Sequence, residues 1–76
     1  MRVISQNKTI NIPYEGTIFY VAGPYIYAQR NEFNHSIGKY KCSKDAISVM
    51  TDMLVAGANP FNNVYFQLVP IDEESC

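Results

Sequence analysis

The sequence predicts an antiparallel α+β domain: a sheet of about five strands, with one α-helix at about residues 44–56 packed on one face. Three observations carry that expectation. Runs of β-branched and aromatic residues alternate with turn residues up to Cys42. Only the stretch from Ala46 to Leu54 repeats apolar residues at three- and four-residue steps. A last short aromatic run, Val64–Leu68, follows the helix and reads as a returning strand.

The elements follow in order. Met1–Ile4 and Thr9–Ile12 read as a hairpin around the polar turn Ser5-Gln6-Asn7-Lys8, and Pro13 holds Ile12 extended and ends the second strand. Thr17–Ala22 is the most apolar strand. Gly23-Pro24 then supplies a two-residue type II′ turn into a strand over Tyr25–Arg30. That register pairs Ala22 with Tyr25, Val21 with Ile26, Tyr20 with Tyr27 and Phe19 with Ala28. One face then carries Phe19, Val21, Ile26 and Ala28, and the other carries Tyr20, Tyr25 and Tyr27.

After a polar loop at Asn31–Asn34, His35–Cys42 reads as a further strand. Ser43 reads as the helix N-cap, with Asp45 in the first turn and Cys42 placed to staple onto Ile47. Gly57 reads as the C-terminal stop, reinforced by Asn59-Pro60. The expected core sets Ile47, Met50, Met53 and Leu54 against Phe19, Val21, Ile26 and Ala28. Residues 1–68 form the single domain, and 69–76 an acidic tail.

Composition narrows the function. The 76 residues are 47% hydrophobic and only 17% charged, so the chain can fold. Burial is worth about 115 kcal/mol and ordering costs about the same, so packing, self-association or a partner must supply the surplus. A net charge of −1 gives no global field for nucleic acid or an anionic membrane. No apolar run approaches the roughly 20 residues needed to span a bilayer, and no basic segment followed by an apolar run opens the chain. The cytoplasm is the expected location.

Candidate chemistry is sparse. His35 is the only histidine, and Ser36 and Cys42 stand at no nucleophile spacing from it. Cys42 reads as a small apolar residue and Cys76 as an exposed thiol; two such distant cysteines make neither a disulfide framework nor a metal motif. Asp45 and Asp52 fall on the solvent side of the helix, and Glu15 and Glu32 in loops, so no carboxylate pair is favoured. No catalytic residue, metal site or cofactor is expected. Two clusters remain. Tyr20, Tyr25 and Tyr27 suit a partner-binding face, because tyrosine offers large contact area and little entropy to lose. Lys39, Tyr40, Lys41 and Lys44 form a basic–aromatic group that suits phosphates and bases, with a lysine-protected edge strand as the plainer reading.

The opening MRVISQNKTINIPYE, the stretch IGKYKCSKDAISVMTDML and the closing VYFQLVPIDEE resemble a group of small uncharacterised proteins. Bacteriophages, prophages and mobile elements of Gram-positive bacteria carry them. Pro13-Tyr14-Glu15 matches their first element. Tyr40, Ser43, Ala46, Val49, Met50 and Leu54 match a Tyr–Ser–helix segment. The likeness covers both ends and about half the chain; the tyrosine hairpin falls outside it, and Gly57–Asn63 is longer than the usual connection. The resemblance implies a genomic context rather than an activity. The expectation is a small non-enzymatic protein that binds a host or phage protein stoichiometrically, for example as an inhibitor of an antiviral defence system, with homodimerisation a further option. The alternatives are a module for nucleic acid or a signalling nucleotide, and a minor structural component of a larger assembly.

Overall fold

A computed structural model describes residues 1–59 and 64–69 of the chain. In chain order the elements are β1 (Arg2–Ile4), β2 (Asn11–Pro13), β3 (Ile18–Ala22), β4 (Tyr25–Arg30), β5 (Phe33–Lys39), α1 (Ser43–Gly57) and β6 (Tyr65–Gln67). The architecture is α+β. Cys76 and, past Val69, the acidic tail lie outside the described residues, as does part of the 57–63 connection.

The strands do not form one antiparallel sheet of five. They form two sheets of three, ordered β2-β1-β6 and β3-β4-β5. Two physical causes separate them. Pro13 ends β2 and has no amide hydrogen to offer a further strand. The chain then turns through Tyr14–Thr17, where Thr17 Oγ1 donates to the Pro13 carbonyl at 2.6 Å and Arg30 Nη1 to the Glu15 carbonyl at 2.9 Å. β6, arriving after the helix, pairs parallel to β1, with Val3 opposite Phe66. A local hairpin pattern cannot show that pairing.

Residues of the β1–β2 turn join the sheets. The buried Ser5 accepts from the Ile10 amide at 3.0 Å and donates to Asn7 Oδ1 at 2.7 Å, while Gln67 Nε2 donates to the Ser5 carbonyl. Gln6 reaches the other sheet: its amide donates to the Ile37 carbonyl at 2.8 Å, and its Oε1 accepts from the Lys39 amide at 3.0 Å.

In the second sheet the β3–β4 register is the expected one, from Ala22↔Tyr25 to Phe19↔Ala28. Gly23 takes φ +60°, which the first position of a type II′ turn requires. The third strand begins earlier than expected, at Phe33 rather than His35, because Asn31 adopts φ +53° and closes a second tight hairpin. After a register shift opposite Ile26 and Tyr27 the ladder runs on to Tyr25↔Lys39, where the strand ends. The Tyr40 amide still donates to the Pro24 carbonyl at 2.8 Å, and Tyr40 and Lys41 lie beyond β5.

The helix differs from expectation in rotation and at both ends. Ala46, Val49 and Met53 are buried, with Met50 packed at the margin, whereas Ile47 and Leu54 are 54% and 51% exposed. At 3.6 residues per turn the buried stripe lies about 70° from the expected one. Small residues set that rotation. Ala46 and Ala28 are fully buried between helix and sheet, and the Tyr14 ring occupies the space beside Gly57. Gly57 is therefore inside the helix as a site of close approach, not a left-handed stop; Ala58 caps it in the right-handed region. At the other end the cap position is Cys42, extended and without a side-chain cap bond, and Ser43 is already helical. Asp45 sits in the first turn as expected. Cys42 is disulfide-bonded, against the expectation of a small apolar residue outside any disulfide, and the half-exposed Ile47 leaves no apolar staple there.

Candidate interaction face

The helix packs beneath β3 and β4 on the side of Phe19, Val21, Ile26 and Ala28, and the opposite side of that sheet carries the tyrosines. Tyr20 and Tyr27 are directly opposed on neighbouring strands, with ring centroids 5.2 Å apart and planes 14° from parallel. Tyr25, two residues along β4, lies 6.0 Å from Tyr27 at a 43° tilt. Lys39, paired with Tyr25 across the sheet, holds its Nζ 5.8 Å from that ring's centroid. This geometry favours the cation by about 0.5–1 kcal/mol at an exposed site. At the other end, Tyr20 donates its hydroxyl to Asn34 Oδ1 at 3.0 Å. The result is one row, Lys39–Tyr25–Tyr27–Tyr20–Asn34, across all three strands.

The row is half-covered by its own rings. Tyr20 is 36% exposed and Tyr25 and Tyr27 are intermediate, so the rings already pack against one another before anything binds. That preorganisation reduces the entropy a contact must overcome. Beside Lys39, where Gln6 crosses β5, lies a shallow depression of about 150 Å³ whose lining includes Gln6, Asn7, Ser36 and Gly38.

The second group singled out in the sequence is dispersed. Tyr40 turns into the core, 3% exposed, and donates its hydroxyl to the Val69 carbonyl at 2.8 Å. Burial pushes its pKa up to about 12. It presents no ring for a base to stack on. Lys41 follows the strand, Lys44 belongs to α1 on the far side of the sheet, and only Lys39 joins the tyrosines. Lys39 and Lys41 therefore share no strand face.

His35 is exposed and contacts Phe33, centroids 4.5 Å apart, while Ser36 faces the tyrosine side opposite Tyr27. The two point to opposite faces of β5 and form no dyad. Among the described residues no three His, Cys, Asp or Glu side chains gather as a metal site, and no helix is long and apolar enough to cross a membrane. Lys39 and Asn34 were missed as members of the face. The αL-tolerant Asn31 before Glu32 was the signal that places β5 early enough to include Asn34, while Lys39, already inside the expected strand, joins the row through its pairing with Tyr25.

No family model, no curated protein and no solved structure matches the chain.

Proposed function

We propose that this chain is a small non-enzymatic protein of a bacteriophage or mobile element, and that it works in the host cytoplasm by stoichiometric binding to a host protein. Tyr20, Tyr25 and Tyr27 form the contact face. An inhibitor of an antiviral defence system is the version the genomic context of the resembling proteins favours. The observation that carries the reading is the preorganised tyrosine row on the face opposite the helix. Interfaces are enriched in tyrosine, and central, desolvated rings are each worth about 2 kcal/mol or more.

The test is capture from host lysate with the parent chain and with Tyr20→Ala/Tyr27→Ala, followed by reconstitution with the purified partner. A one-to-one complex that the parent forms and the variant does not supports the reading. Capture that is unchanged in the variant removes the tyrosine face from it.

A second reading rests on Lys39 above Tyr25: a cation beside an aromatic row also suits a nucleic acid or a signalling nucleotide. Binding to nucleic acid would weaken steeply between low and moderate salt, and a nucleotide would raise the melting temperature. The mutual stacking of Tyr20 and Tyr27 favours the protein partner, because each ring already covers one face of the other.

A further inference from the structure

Among the described residues β3 is a sheet edge without the usual protections. In a two-residue hairpin Ala22 and Tyr25 exchange main-chain bonds, so Tyr20 and Ile18 also bond to β4, while Phe19 and Val21 direct their amides and carbonyls away from it. Among the described residues these outward groups meet no other segment. Natural edges are blunted by charge, proline, bulges or cover. β5 has a register shift and is bridged by Gln6, β2 ends in Pro13, and β6 is three residues long. Among the described residues β3 has none of these. No charged residue occurs from Thr17 through Gln29, and Ile18 stands 62% exposed on the strand.

An apolar shelf lies below that edge. Ile47, Met50, Leu54 and Gly57 recur at three- and four-residue steps along one flank of α1, while Asp45 and Asp52 occupy the other flank. Gly57 meets Tyr14, and the Tyr14 ring stacks on Phe19 of β3 at 5.7 Å. The apolar flank is thus the one on the β3 side.

We propose that a second copy of this chain adds to the β3 edge, antiparallel and centred on Tyr20. Phe19 of each copy then exchanges both main-chain bonds with Val21 of the other. Ile18 lies opposite Ala22, and Tyr20 opposite Tyr20 of the second copy. The register is self-complementary, with no charge opposed to another. The spacing also closes beneath the sheet. With strands about 4.8 Å apart, a helix under β3 and β4 sits about 5 Å from the two-fold axis. The two helices then run about 10 Å apart, near the distance at which helices pack. A strand edge alone falls short of the roughly 1,000 Å² that a stable pair buries, and the flanks of Ile47 and Leu54 add the apolar area it lacks. The paired sheet carries both tyrosine rows side by side on its outer face.

Sedimentation of the parent chain over a micromolar concentration series should show a species of twice 8.6 kDa. Ile18→Lys and Leu54→Lys should each weaken it about tenfold or more, while Val55→Lys, farther around the helix from that flank, should not. Exchange protection of the Phe19 and Val21 amides in the parent should rise with concentration, a readout that needs no variant to fold. A lone 8.6 kDa species throughout, a dimer indifferent to both edge and flank lysines, or protection independent of concentration overturns the proposal. A dimer that captures no host protein leaves it standing and counts only against the tyrosine-face reading.

Discussion

The ring of Tyr14 rests against the backbone of Gly57 so closely that a methyl group there would overlap it. The contact ties the connector before β3 to the last turn of the helix, and it explains a glycine inside a helix, where alanine is ordinarily better by about 1 kcal/mol. Gly57→Ala should therefore destabilise the parent chain. In a Tyr14→Ala background the same change should stabilise. A double-mutant cycle by chemical denaturation checks the reversal of sign, with a coupling of about 1–3 kcal/mol.

Helix rotation makes a second prediction. Met53 is fully buried and Leu54 half-exposed. Met53→Ala should cost about 2–5 kcal/mol, enough to unfold a marginal domain, while Leu54→Ala should cost under about 1 kcal/mol. Thermal melts under dilute conditions, where self-association does not contribute, separate the two.

The Tyr40 phenol gives a pH signature. Its pKa stands at about 12 in the folded chain, above its ordinary value of 10.0. A raised pKa leaves stability whole below the unfolded value. Stability then falls from about pH 10 towards pH 12, by at most about 1.4 kcal/mol per unit. Denaturation midpoints across that window should decline in the parent and flatten in Tyr40→Phe. That variant forfeits the bond to Val69, worth about 1 kcal/mol at lower pH.

The tyrosine face is tested by reading affinity and stability together. Tyr20→Ala/Tyr27→Ala should abolish partner binding and cost no more than about 1–2 kcal/mol of stability, since the helix packs on the other side. Lys39→Ala/Lys41→Ala should change affinity little. Loss of binding in the lysine pair alone would transfer the function to the nucleotide reading.

Cys42 reports the compartment. Its disulfide belongs to an oxidising setting, whereas cytoplasmic thiols are kept reduced. If the chain acts in the host cytoplasm, alkylation in intact cells should label Cys42, and purified oxidised protein should resist until reductant is added. Labelling followed by mass spectrometry decides this.

What the sequence revealed followed the range of the interactions involved. The β3–β4 register was legible because Gly23-Pro24 fixes it locally, and with it the division between the Phe19 and Tyr20 faces. The start of β5 was obscured because Asn31, which reverses the chain, is as polar as a loop. The fate of Tyr40 was hidden because a Lys-Tyr-Lys run looks like an exposed strand, and only the distant Val69 carbonyl shows why the ring goes inside. The rotation of α1 depended on Tyr14, whose place beside Gly57 no periodicity records. Of the candidate site, the three tyrosines were visible, while Lys39 and Asn34 became members only through the β5 register.

The parallel ladder of β1 and β6 joins Arg2 to Tyr65, residues near opposite ends of the described chain. β3, β4, β5 and α1 are consecutive in the sequence and can assemble by short loop closures, the fast class of folding event. β1 has only the three-residue β2 for company until Gln67 has been made, and an isolated short hairpin is marginal in water. During synthesis the tyrosine sheet can therefore mature while the first sheet waits. The nascent chain would present its tyrosine row before it acquires its full resistance to proteolysis.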